Sequence, residues 1–320
     1  MINTINNQYV TFRQNISRKN NENIIKDDVT KTSSTTEFGN LKLFLLHSTD
    51  SLKSKIERKH RDNKSAGTVD LEEGQILDEN SNLINLGFTT FCRADLDWQD
   101  FGKYLQENFQ NIEDADIYCF GCSTGEEPYS LAMLLKSRFG DNPFKIKASD
   151  IIEDRIKRNI ENQKKGVLIN DLMFEQIYDG LGIKANEAKN FFTSSEQGFL
   201  QLSKNIVNSV EFKKENILKS VDKFSRKRKS IILCRNMWPY ISADKYQEFA
   251  KKLYGKLAPG SIVVVGDFDY VGTPNLPNVT KFPIILELNN FKPVKDRGIG
   301  WNCSSGKDSG LIFKKEEELQ

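Results

Sequence analysis

Residues 121 to 128, Gly-Cys-Ser-Thr-Gly-Glu-Glu-Pro, combine residue types that favour different ligands. Glycines let a backbone turn tightly and come close to a ligand. A helix starting just after them offers free N–H groups, which suit an anion. Two carboxylates at that helix start, Glu126 and Glu127, repel a phosphate instead. The third glycine of G-x-G-x-x-G is missing and no Gly-Lys-Ser/Thr follows, so neither dinucleotide nor P-loop chemistry fits. A ligand with an adenosine, no phosphate and a cationic group does fit, and S-adenosylmethionine, with its ammonium and sulfonium, has that description. Asp150, 25 residues after Gly125, stands where an acidic residue accepts hydrogen bonds from ribose hydroxyls. Plainer readings exist: the glutamates complement a helix dipole and Asp150 caps the next helix. Their order along the chain favours the cofactor site.

Other chemistries are disfavoured. His47 and His60 are the only histidines and both lie near the N-terminus, which argues against a Ser-His-Asp site or histidine-bound metal in the main domain. The five cysteines (Cys92, Cys119, Cys122, Cys234, Cys303) include one C-x-x-C without the second pair that zinc needs, so buried free thiols and no metal are expected.

The elements that must position these residues follow from periodicity. Trp98, Phe101, Leu105 and Phe109 have helical spacing, and 115–120 reads as a buried strand. A helix follows from Pro128 to Gly140, then a strand over 144–150 and a helix carrying Ile152, Ile156 and Ile160 to near Gly166. Further on, 230–236 and 261–267 read as strands flanking a helix with Tyr246, Phe249, Ala250 and Leu253 on one face. Strands alternating with helices predict a parallel sheet covered on both faces, with ligand at the carboxyl ends of the strands.

Residues 1–85 are expected to form a polar leader with short helical pieces around LKLFLLHS, and 86–320 the main domain. A net charge of +2 argues against a global nucleic-acid or membrane partner. The basic run KFSRKRKS reads as a solvated loop. No stretch approaches the ~20 apolar residues of a membrane span and the N-terminus lacks a signal peptide's pattern, so a cytoplasmic protein is expected.

Five segments in order, TTFCRAD (89–95), GCSTGEEPYSLAMLL, KASDI, VEFKKENIL (210–218) and CRNMWPY (234–240), resemble the CheR family of chemotaxis-receptor glutamate methyltransferases. The resemblance implies an α/β, Rossmann-like class I methyltransferase sheet, S-adenosylmethionine as cofactor and a protein partner bearing glutamate side chains, such as a receptor cytoplasmic domain. It implies cofactor contacts from Thr89, Arg93, Gly121, Glu127, Asp150, Asn216, Ile217, Asn236 and Met237, with Arg93 and Tyr240 facing the methyl and its acceptor. The chain departs from the pattern at Gly87 (Asn in the family), Cys92 (Phe), Trp238-Pro239 (an aliphatic pair) and GDFDY, where the family has Gly-x-Ser-Glu. Two alternatives stay open at this level: a different acceptor, small molecule or protein, suggested by Trp238-Pro239 and the unusual N-terminal segment, and a non-catalytic cofactor-binding or interaction protein.

Overall fold

In-line apolar runs become strands and amphipathic runs become helices around one sheet. The computed structural model describes residues 89–184, 187–241, 243–270, 281–303 and 310–316. The expected N-terminal leader, both histidines and Gly87 lie outside these residues. Helix α1 (Trp98–Asn108) buries Trp98, Phe101 and Leu105, as its spacing predicts, and is capped by the Asp97 side chain on the Asp100 N–H. Strand β1 (Asp116–Phe120) leads through the glycine turn into α2 (Glu126–Phe139), which runs from two acids in its first turn to Lys136 and Arg138 in its last, matching its dipole. Strand β2 (Ile146–Asp150) and α3 (Glu153–Lys165) complete the first unit.

Helix α4 (Asp171–Leu181), the small antiparallel pair β3 (Phe192–Ser194) and β4 (Leu200–Leu202), and the short helix α5 (Lys204–Asn208) come next. Strand β5 (Val210–Lys214) returns to the main sheet. Strands β6 (Ser230–Leu233) and β7 (Ile262–Val264) bracket α6 (Ala243–Lys256); α7 (Phe282–Leu288), β8 (Phe291–Val294) and β9 (Ile312–Lys315) finish the described chain.

The sheet has seven strands in the order β5-β2-β1-β6-β7-β9-β8. The first five of these pair in parallel, as the alternating pattern predicts. The sheet is mixed rather than parallel throughout, because β9 enters antiparallel between β7 and β8. Strand order runs outward from β1 through β2 to β5, then restarts on the other side with β6 and β7, so the switch point lies between β1 and β6. Crevices for ligands form at the carboxyl ends of strands at such a point.

The basic run is not merely solvated. Arg226 donates through Nε to the Gly255 carbonyl near the end of α6 (2.8 Å), and Arg228 to the Asp114 carbonyl (3.1 Å). It precedes β6 and so lies at the amino ends of the strands, away from the switch point. Lys315, fully buried on β9, donates to the carbonyls of Tyr254 (2.9 Å) and Leu257 (3.0 Å), satisfying acceptors that the end of α6 leaves open. No helix among the described residues is long and apolar enough to cross a membrane.

Candidate active site

All the motif segments meet at the carboxyl ends of β1, β2, β5 and β6. After β1, Gly121 and Ser123 take positive φ (66° and 48°) and Gly125 caps α2 in the left-handed region (97°). Gly121 is exposed, and a Cβ there would lie 3.3 Å from Met237 Sδ. The turn after β1 and the segment after β6 thus face each other across the switch point, with bare backbone keeping the gap open.

Asp150 serves both of its readings. Its Oδ2 accepts the Ser123 N–H and its Oδ1 the Ile152 N–H, each at 2.9 Å, so one carboxylate ties the glycine turn to the start of α3. Arg155 Nη1 lies 3.8 Å from Oδ2. An ionised carboxylate has about four acceptor positions, so these bonds leave capacity for a ligand hydroxyl. The Asp150 carbonyl accepts the Glu215 N–H (3.0 Å), which brings the segment after β5 alongside. There Asn216 caps a turn through its Oδ1 and the Leu218 N–H (2.9 Å), and Ile217 is buried.

Asn236 sits at φ 59°, an uncommon conformation for a residue with a side chain. Several bonds hold it there. Its N–H donates to Asp269 Oδ2 (2.7 Å), its Nδ2 to Asp95 Oδ2 (3.2 Å), and its Oδ1 accepts the Phe268 N–H (3.0 Å). Asp269 also accepts from Gly266 (2.8 Å) and Trp238 (3.1 Å). Gly266 is required at its place, since a Cβ would fall 2.2 Å from Asn236 Nδ2.

Three residues that sequence reasoning did not single out form the centre of the site. Arg235 is fully buried and its guanidinium bridges Asp95 and Glu127, reaching Glu127 Oε2 at 2.8 Å. Asp95 lies 3.8 Å from Arg93 Nε, and accepts the Asp267 N–H (3.1 Å). Burial works to raise the Asp95 carboxyl, but Arg235, Arg93 and the hydrogen bonds hold it below its ordinary range. Burial pushes Glu127 up, with Arg235 pulling the other way. Asp269 is the third. The signals were present: Asp95 and Arg235 stand inside the segments TTFCRAD and CRN, and Asp269 stands three residues after Gly266, where Gly-x-Ser-Glu has its acid.

The bridge corrects one premise. The mouth is not a bare acidic patch, because Arg235 matches the charge of Glu127, while Glu126 accepts from Thr124 Oγ1 (2.6 Å). Arg93 is half-buried, with 30% of its side chain exposed, and Thr89 is likewise half-buried. The Tyr240 backbone ends the short turn Trp238–Tyr240, and its side chain lies outside what the structure describes. Trp238 is core: it stacks on Phe282 with ring centroids 3.5 Å apart and donates through Nε1 to the Cys234 carbonyl (2.9 Å). Cys92 takes φ 46° and packs over Gly180, where a Cβ would come within 2.3 Å of its own. All five cysteines are buried, and burial holds Cys92 at about 12 and Cys119, Cys122 and Cys234 well above their usual range, so these four stay protonated thiols. No cluster of metal-ligating side chains occurs among the described residues.

A family model described as "CheR methyltransferase, SAM binding domain" matches residues 87–282, more than half of the chain. The chain belongs to the CheR methyltransferase family. As a CheR-type enzyme it is an S-adenosylmethionine-dependent methyltransferase with the class I Rossmann-like fold. It is similar to a chemotaxis protein methyltransferase of Listeria monocytogenes, 23% identical over 70% of this chain and 78% of the relative. A second such protein, from Borreliella burgdorferi, is 27% identical over 67% of this chain and 73% of its own length. Among solved structures, a TehB-like SAM-dependent methyltransferase from Corynebacterium glutamicum covers 67% of this chain and 88% of its own at 10% identity, with a TM-score of 0.37. The CheR match ends at the start of α7, so β8 and β9 lie beyond it.

Proposed function

We propose that the chain transfers a methyl group to a glutamate carboxylate of a protein partner, with receptor cytoplasmic domains as the partner class and the cytoplasm as the setting. The observation that carries this reading is Arg93, whose partly exposed side chain has Asp95 against its Nε and so stands beside the cluster that Arg235 forms with Asp95 and Glu127. A planar, permanently charged fork in that position suits a carboxylate acceptor better than an amine. A glutamate, with an ordinary pKa of about 4.3, is already ionised at neutral pH and needs no general base. This agrees with a sequence that has no histidine after His60.

The cofactor, when bound, supplies an electrophilic methyl on a sulfonium. The chain's residues fit it. Exposed Gly121 keeps backbone bare opposite Met237, Asp150 retains acceptor capacity for ribose hydroxyls, and among the described residues Glu127 Oε1 has only the weak thiol donor of Cys119 at 3.7 Å. In this reading Glu127 receives the ammonium, while Thr89, Asn216, Ile217, Asn236 and Met237 line the nucleoside and methionine ends. Arg93 orients the acceptor, and Tyr240 is assigned a hydrogen bond near the reacting oxygen. The transfer is an in-line displacement, so the protein's main work is holding nucleophile and methyl close and aligned.

Incubation with methyl-labelled cofactor and a receptor cytoplasmic fragment tests the acceptor. Base-labile label on the protein is expected, as for a carboxyl ester. Alkali-stable label, or label only on a small molecule, overturns it. The departure at Trp238 gives no support to a small-molecule acceptor, because that side chain is spent on core packing.

A further inference from the structure

Arg235 joins segments far apart in sequence: Asp95 is 140 residues away and Glu127 108. Burying such a charged triad is weak evidence for stability, since the desolvation of each ion costs several kcal/mol. What the guanidinium does to its two partners is more informative. It occupies Glu127 Oε2 and leaves Oε1, which among the described residues meets only Cys119 Sγ. It stands over the Trp98 ring, 5.5 Å from the centroid, so its own orientation is fixed from a third side.

We propose that Arg235 is a positioning residue for methyl transfer, its fork holding Glu127 by Oε2 so that Oε1 is aimed at the ammonium end of the methyl donor. The inference rests on Glu127 being a methyl-donor contact. Glu127 is faced by Arg235 from the segment after β6, by Asp95 and Arg93 from the segment before α1 and by Cys119 on β1; its charge is also felt by Cys122 and Cys234. Burial and Asp95 raise its carboxyl; Arg235 is the strongest influence lowering it. Without Arg235 the carboxyl takes up a proton closer to neutral pH, and a neutral carboxyl neither attracts an ammonium nor presents two acceptors.

The test is calorimetric binding of S-adenosylhomocysteine to the full chain at pH 6.5 and pH 8, with each variant compared to wild type at the same pH so that the ligand amine's own titration cancels. Arg235→Met is expected to bind about tenfold more weakly at pH 6.5 and to recover part of that loss at pH 8. Glu127→Gln is expected to be weak at both pH values. The Glu127→Gln, Arg235→Met double variant should bind within about twofold of Glu127→Gln alone, because a positioning residue has nothing left to position. A loss in Arg235→Met that is equal at both pH values, or a double variant whose loss is the product of the two single losses, overturns the role. If Arg235→Met does not fold, Arg235→Lys, which keeps the charge but not the fork, replaces it in the same cycle and must show the same non-additivity. If Glu127→Gln binds as wild type does, the assignment of Glu127 fails, a result distinct from failure of Arg235 alone.

Discussion

Replacing Asp269 by asparagine changes the hydrogen-bonding character of a single side-chain atom at the junction of the loops after β6 and β7. The carboxylate there accepts three backbone N–H groups, two on Oδ2 and one on Oδ1. Burial outweighs those donors, and with the nearby charge of Asp95 pushes the pKa up to about 7 from an ordinary 3.8. The folded state therefore binds this proton more tightly than the unfolded chain does, and its contribution to stability is full below pH 3.8 and is lost as pH rises through 7. At about 1.4 kcal/mol for each unit, the loss across this window has an upper bound of about 4 kcal/mol. Asparagine does not titrate, so the difference in urea-unfolding free energy between wild type and Asp269→Asn isolates this term, with the other carboxylates common to both proteins. Wild type should be the more stable at pH 5, and its advantage should shrink toward pH 8 and there vanish or reverse. An advantage that grows with pH would show that the three N–H donors prevail over burial, refuting the reasoning.

Arg93→Ala should cut turnover far more than affinity for S-adenosylhomocysteine, whereas Asp150→Ala should weaken binding first; equal affinity losses in calorimetry would reject that division. Gly121→Ala places a Cβ 3.3 Å from Met237 Sδ on a residue at φ 66°, so binding should fall about tenfold or more while stability falls by about 1 kcal/mol. An unchanged dissociation constant would remove Gly121 from the site. Trp238→Ala empties a fully packed position and should cost about 3 to 5 kcal/mol in denaturant unfolding. The activity of its folded fraction should be retained, and a loss of turnover in folded protein would return Trp238 to the acceptor pocket.

Periodicity made the first strand, glycine turn and helix legible, together with β2, α3 and the amphipathic α6, because long apolar patterns leave few alternatives. The meeting of four of the five motif segments follows from strand alternation, which sends their ends to one edge; TTFCRAD precedes the first strand and is drawn in by the bonds of Asp95 to Arg235 and Asn236. The hub at Arg235 was not legible as a hub, because its partners lie more than a hundred residues away and pairing across such distances leaves no local pattern. Asn236 beside it has a more obvious turn signature. Strands β3 and β4 are three residues each, too short for an alternation to register. In β9, the buried Lys315 belongs to a lysine pair followed by acids, which reads as a solvated tail until α6 supplies carbonyls for the ammonium.

The insertion of β9 between β7 and β8 also sets an order of events during synthesis. Until residues 312–315 have left the ribosome, β7 has no neighbour on that side and β8 has none among the strands of the sheet, so the wholly apolar Ile262–Val264 presents an unpaired edge. Nascent chains stalled before that point should recruit holdase chaperones, and a deletion of only these four residues should behave in cells as an aggregating protein rather than as a slightly shortened enzyme.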